Sequence, residues 1–133
     1  MNHVLAFTAQ FKIPAVISGE CTQTIRPKSK RPRKVGDGLM VHGWEGRPYW
    51  SKWSWRIEGL VITGVLDISV WPDGIFYKNL DRFVGWGHPV VEELAILDGC
   101  PDVRTLKRWF KDHYDLEGGL DAQIIRWNNG GSR

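Results

Sequence analysis

A chain of 133 residues is long enough for one domain, and about two thirds of its unfolded surface can be buried without help from metal or disulfides. With 42% hydrophobic and 25% charged residues it is not a wholly disordered chain, and no apolar run approaches the roughly 18 residues of a membrane helix. The net charge of +3 permits an anionic partner without demanding one.

The elements follow in order. Val4–Phe7 reads as a short strand. Phe11–Gly19 reads as about two helical turns, with Pro14 tolerated in the first turn, Gly19 closing the last, and Phe11, Ala15 and Val16 facing the core. Thr22–Arg26 alternates Thr22, Thr24 and Arg26 against Gln23 and Ile25, a period-two strand whose polar side faces water or a site. Pro27 ends it. Gly36-Asp37-Gly38 is a turn into a strand at Leu39–His42, and Leu60–Trp71 reads as a central strand. Pro72-Asp73-Gly74 turns the chain into a short extended or helical piece, Ile75–Leu80. Gly85–Pro89 is a loop. Val90–Leu97 is a helix with Val91, Leu94 and Ala95 on one face, ended by Asp98-Gly99. Asp102 caps a second helix, Val103–Tyr114, with an apolar stripe of Val103, Leu106, Trp109 or Phe110, and His113. Ala122–Trp127 is a last strand. The expected organisation is one domain over residues 1–127 and a flexible tail over 128–133. The expected class is α+β, a small mixed sheet or partly closed barrel with helices at its edge.

Charge is concentrated. Arg26–Lys34 (RPKSKRPRK) holds six of the 18 basic residues, which leaves 12 against 15 acidic residues elsewhere. Lys28, Lys30, Arg31, Arg33 and Lys34 form a loop patch that is either a phosphate-contacting surface or simply a solvated basic loop. Arg26 lies on the same side of its strand as Thr24, and its planar guanidinium suits a phosphate or a base edge; a surface ion pair is the plainer alternative.

Eight tryptophans are many for this length. Trp44, Tyr49, Trp50, Trp53 and Trp55 interleave with Arg47, Lys52 and Arg56, the pattern of rings and cations that single-strand binders use, although most such rings in a small domain pack the core. Trp50 and Trp86 are the expected cleft rings. Trp86, between Gly85 and Gly87, has little neighbouring bulk and is expected at a cleft mouth. Cys21 and Cys100 are the only cysteines, so a disulfide framework is absent, and a reducing, cytoplasmic setting is the simpler reading. The start of the chain has no basic run before its apolar residues and does not read as a signal peptide. His88 and His113 match no metal-ligand spacing, and no metal or other cofactor is expected. No phosphate-binding G-x-x-x-x-G-K-[ST] loop, H-E-x-x-H or G-x-S-x-G motif is present.

Ser18–Arg26 (SGECTQTIR) resembles the signature of the ASCH domain family, related to PUA domains: Gly, a variable residue, Lys, Thr, a variable residue, Thr, an apolar residue and Arg. Val35-Gly36-Asp37-Gly38-Leu39 is similar to that family's G-D-x-L turn, and Ala95–Cys100 with the following Leu106, Phe110 and Tyr114 is similar to its A-x-x-E-G-F step and helix. Ile124–Trp127 is similar to its closing strand. The resemblance spans residues 4–127 and implies a small mixed β-barrel with flanking helices and a cleft. It also implies an RNA-associated or nucleotide-binding module, with amidohydrolases of N4-acetylcytidine and ribonucleases as alternatives of the same fold. The hydrolase pattern uses the signature lysine, its second threonine and the acid of A-x-x-E. Here those positions are Cys21, Thr24 and Asp98, so only the threonine is retained, alongside the signature arginine, Arg26. Thr24, Asp98 and Cys21 are therefore the candidate catalytic residues. Thr24 as a plain strand residue, Cys21 as a buried filler and Asp98 as a helix-ending residue are the structural alternatives. The expected partner is RNA or a modified nucleotide, with no membrane and a monomer as the default. A protein-interaction domain is the remaining alternative.

Overall fold

The structure is a computed structural model that describes residues 2–7, 13–44 and 53–128, the side chains of Trp44, Trp53 and Ser54 excepted. Among the described residues, seven strands and three α-helices run in the order β1 (Asn2–Ala6), α1 (Ile13–Ser18), β2 (Gln23–Pro27), β3 (Gly38–Trp44), β4 (Trp53–Trp71), β5 (Gly74–Tyr77), β6 (Arg82–Gly85), α2 (Pro89–Leu97), α3 (Val103–His113) and β7 (Leu120–Trp127). The fold is mixed α+β. Asn128 extends the last strand's pairing, donating its backbone N–H to Val61 O while its Oδ1 accepts the Val61 N–H. Of the expected tail, residues 129–133 lie outside the described residues.

The organising element is β4, 19 residues long and shared between two neighbourhoods. Its first half pairs antiparallel with β3, which pairs parallel with β1. Its second half pairs with β7 on one edge and with β5 on the other, and β6 extends β5. β7 in turn pairs with β2. Register shifts at Leu39/Val41, Gly43/Trp44 and Ile62/Gly64 mark irregularities in the ladders, where a strand can bend and twist more strongly. Among the described residues no ladder joins β1 to β2, so the seven-stranded sheet stays open.

Alternation along the strands separates two cores. Ile25, Ile68, Val70, Ile75, Ile124 and Val84 face α2 and α3, which bury Val91, Leu94, Ala95, Leu106 and Phe110 against them. On the opposite face Leu5, Val41, Ile62, Ile125 and Trp127 close with Val16 of α1. The helix ends follow their sequence signals. Pro89 stands at the start of α2, His88 Nδ1 accepts the Val90 N–H at 3.1 Å, and Asp102 accepts the Thr105 N–H at 2.8 Å. The expected stripe on α3 resolves in favour of Phe110, which is buried. Trp109 is half-exposed and stacks on His113 at 3.7 Å.

The expected extended or helical piece at Ile75–Leu80 is both, a strand and then a 3-10 turn, and the following strand, Arg82–Gly85, is not among the expected elements. The segment after the Pro72-Asp73 turn is a hairpin, β5 and β6, with a single 3-10 turn at Lys78–Leu80 between them. Two four-residue strands carry too few positions for a period to show in the sequence.

Candidate functional site

The signature segment builds the junction between α1, β2 and the ends of β1 and β3. Gly19 at φ 86° lets the chain leave α1, and the Cys21 N–H bonds Ala15 O. In β2 the polar alternation is present, but its direction differs from a solvent-facing strand. Thr24 is 2% exposed and pairs with Ile125 of the strand-side core. Arg26 is half-buried. Its Nε donates to Thr24 Oγ1 at 3.2 Å, one terminal nitrogen donates to Ala6 O, and the guanidinium sits 4.7 Å from the centre of the Phe7 ring. A guanidinium can do all three at once because it is flat and carries five donors in a plane. It therefore links β2 to the end of β1, where no strand ladder does so among the described residues. His42, buried beside this group, has its pKa pushed below the ordinary histidine value, by burial first and then by the charge of Arg26.

Two of the three candidate catalytic residues belong to the strand-side core: Cys21 is part of it, and Thr24 pairs with its Ile125. Cys21 is buried, with its Sγ 3.3 Å from Gln23 O and 3.6 Å from Leu97 O. Asp98, the next residue after Leu97, is 5% exposed, and its backbone N–H closes α2 on Leu94 O. Gln23, on the helix side of β2, donates to Leu94 O and accepts from Arg126 Nε at 2.8 Å. Thr24 points to the other face. The Cys21 thiol thus reaches the last residue of α2, Leu97, while Thr24 accepts from Arg26. None of Cys21, Thr24, Arg26, Trp86 and Asp98 lines the cavity bounded by Trp71, Phe76 and Phe83 or the one between Val16–Gly19 and Ile57, Leu60 and Trp127.

Trp86 is a correction. It is 7% exposed, belongs to the helix-side core, and donates its Nε1–H to Pro72 O at 2.9 Å. Its glycine neighbours supply no bulk, but the helix-side core it joins does, and sequence spacing cannot show a neighbour from another element. Trp50 lies outside the described residues, as do Arg47, Tyr49 and Lys52. Trp55 is half-buried, 6.3 Å from Phe7.

The basic loop is pinned from beneath. The Lys28 N–H bonds Asp121 O, and the Arg33 N–H bonds Gln123 Oε1 at 3.3 Å. Gln123 Nε2 also reaches Asp67. Arg33 itself is half-buried and donates to Pro27 O at 3.1 Å; desolvation lowers its pKa from the ordinary value. Asp37 closes the loop by accepting the Lys34 N–H at 3.2 Å and pairing with His3 Nε2 at 2.8 Å, and the His3 hydrogen bond is the main cause holding its carboxyl below the usual range. Lys28, Lys30, Arg31 and Lys34 are left on the outside, with Lys28 3.9 Å from Asp67. Of the five predicted loop cations, four are presented to solvent and Arg33 is part of the loop's own scaffold.

Three rings that the sequence reading passed over stand together, Trp71 and Phe83 exposed and Phe76 half-buried. Trp71, Phe76 and Phe83, with Pro72 and Asp73, line a cavity of about 440 Å³ at the turn end of β4–β6. Trp71 and Phe83 are 36% and 49% exposed. The available signal was period-two: Ile68 and Val70 alternate with Ser69 and Trp71, which puts Trp71 on the face away from the helices.

Among the described residues no group of three or more His, Cys, Asp or Glu side chains could hold a metal ion, and no helix is long and apolar enough to cross a membrane. No family model, characterised protein or solved structure matches the chain.

Proposed function

We propose that this chain is an RNA- or nucleotide-binding module of the ASCH and PUA-like kind. The observation that carries the reading is the loop after β2. Four cations, Lys28, Lys30, Arg31 and Lys34, project from a backbone held at both ends by Gln123, Asp121 and Asp37. A pre-shaped cationic loop loses little conformational freedom on meeting a phosphate chain. In the same reading the open, irregular sheet is a PUA-like barrel whose seam between β1 and β2 is bridged by the Arg26 side chain. Buried thiols at Cys21 and Cys100 suit a reducing, cytoplasmic setting.

The hydrolase alternative ranks second. It requires a base near Thr24, and the position of the family lysine is taken by Cys21, whose thiol faces two backbone carbonyls. Incubation with N4-acetylcytidine should release no cytidine above the rate of the heat-denatured protein.

Titration with short single-stranded RNA at two salt concentrations tests the binding reading. With up to four phosphate contacts, the slope of log affinity against log salt should approach roughly −3. Replacing Lys28, Lys30, Arg31 and Lys34 by Gln should abolish that slope and most of the affinity. Absence of binding at low salt would overturn the reading.

A further inference from the structure

Read across the sheet, the register places the basic loop and the aromatic cavity on one surface. Asp121 of β7 pairs with Ser69 of β4, Ser69 with Phe76 of β5, and Phe76 with Phe83 of β6. Directly cross-strand partners share a face, so these four side chains form one row, and Trp71 stands two residues beyond Ser69 on the same face. Lys28 joins the row at the other end, through its N–H to Asp121 O. The next row, Arg26–Gln123–Asp67, carries the side chain that pins the loop. From β2 to β6 the row crosses four inter-strand gaps, about 19 Å at the usual spacing of about 4.8 Å.

The two ends of this row differ in chemistry. The loop end presents four exposed cations. The other end has no cation among the residues lining its cavity and one carboxylate, Asp73. An anionic phosphate is disfavoured there, whereas a flat ring carrying N–H donors is favoured by both the aromatic walls and Asp73. The rings are also held in place. Trp71 Nε1 donates to Ser69 Oγ at 2.8 Å, and its six-membered ring lies over Gly119, where an added Cβ would come within 2.7 Å of it. Phe83 lies against Gly74, where an added Cβ would come within 2.9 Å of its ring tip. Exposed rings fixed by glycine contacts offer a stacking surface at low entropic cost.

We infer that the cavity of Trp71, Phe76 and Phe83 is a nucleobase site, filled by bases of a single-stranded RNA whose phosphates lie on the Lys28–Lys34 loop. This deepens the binding reading above and rests on it. The span fits the short end of the roughly 4–16 nucleotide footprints of single-strand binders. A carboxylate at the cavity, Asp73, favours bases with an exocyclic amine, so cytosine-, adenine- and guanine-containing strands bind more tightly than uracil strands.

The test compares labelled single-stranded oligonucleotides with abasic strands of equal length, using the full chain and two variants, Trp71→Ala and Phe83→Ala. Each variant should weaken base-containing strands by about 5- to 100-fold while leaving abasic strands and the salt slope unchanged. Trp71→Tyr should restore most of the affinity, which a merely structural loss would not show. RNA binding that loop substitutions abolish but ring substitutions leave intact would overturn this inference and spare the binding reading. No RNA binding by the unmodified chain would overturn both. A dimer of the chain that Phe83→Ala dissociates would overturn the inference in favour of self-association through this cavity.

Discussion

The two faces of the second half of the sheet carry tryptophans with opposite fates. On one face Trp86 is buried in the helix-side core, hydrogen-bonded through its indole N–H and 7% exposed. On the other, Trp71 stands 36% exposed, its indole N–H also bonded and its ring laid across a glycine. Both satisfy their polar atom, so hydrogen bonding does not separate them. What separates them is whether another element arrives to cover the ring. A covered ring contributes to stability by burial; an uncovered ring contributes less and leaves part of its face to solvent.

The largest expected effect tests the covered side. Trp86→Ala should destabilise the domain by about 3–5 kcal/mol in a denaturant titration, from lost burial, the remaining cavity and an orphaned Pro72 carbonyl. A cost as small as that of an exposed ring would break the comparison.

Gly119→Ala probes the support of the open side. At φ +83° a side chain strains the backbone, and the new Cβ must displace the Trp71 ring. A loss of about 1–3 kcal/mol is expected, with a change in near-ultraviolet circular dichroism that reports the moved indole. Trp71→Ala should cost about 1 kcal/mol or less, because much of the ring already meets water. Measured beside Trp86→Ala, it gives the contrast between the two faces directly.

A smaller effect concerns pH and the seam between β1 and β2. His42 has a folded pKa below its unfolded value, so the unfolded chain binds the extra proton more readily. Its contribution is therefore present above the ordinary histidine value of about 6.5 and is lost as pH falls through the depressed folded pKa. Thermal melts between neutral and mildly acidic pH should show that decline, and His42→Asn should flatten it. An unchanged pH profile in the variant would remove His42 from the account.

Much of the scaffold was legible locally. Pro89 at the start of α2, Asp102 at the cap of α3, Gly19 after α1 and the Pro72-Asp73 turn all act through the backbone within a few residues, and all are where the sequence placed them. The alternation of Thr24 and Arg26 against Ile25 was equally legible, because a strand's period is a local property. The basic loop was legible as charge, since nothing in RPKSKRPRK can form a core.

Other features depended on distant partners. Thr24 is buried because Ile125 lies opposite it, about 100 residues away in the chain, and Arg26 is occupied because the end of β1 comes within its reach. Arg33 looked like one loop cation among five until Gln123 took its backbone. Trp86 and Trp71 illustrate the boundary most sharply. Composition and spacing supplied two tryptophans near turns, and glycine neighbours made Trp86 look exposed. Burial is decided by which elements pack on which face, and that is set by cross-strand register and by the helices that follow, which no local window of sequence contains.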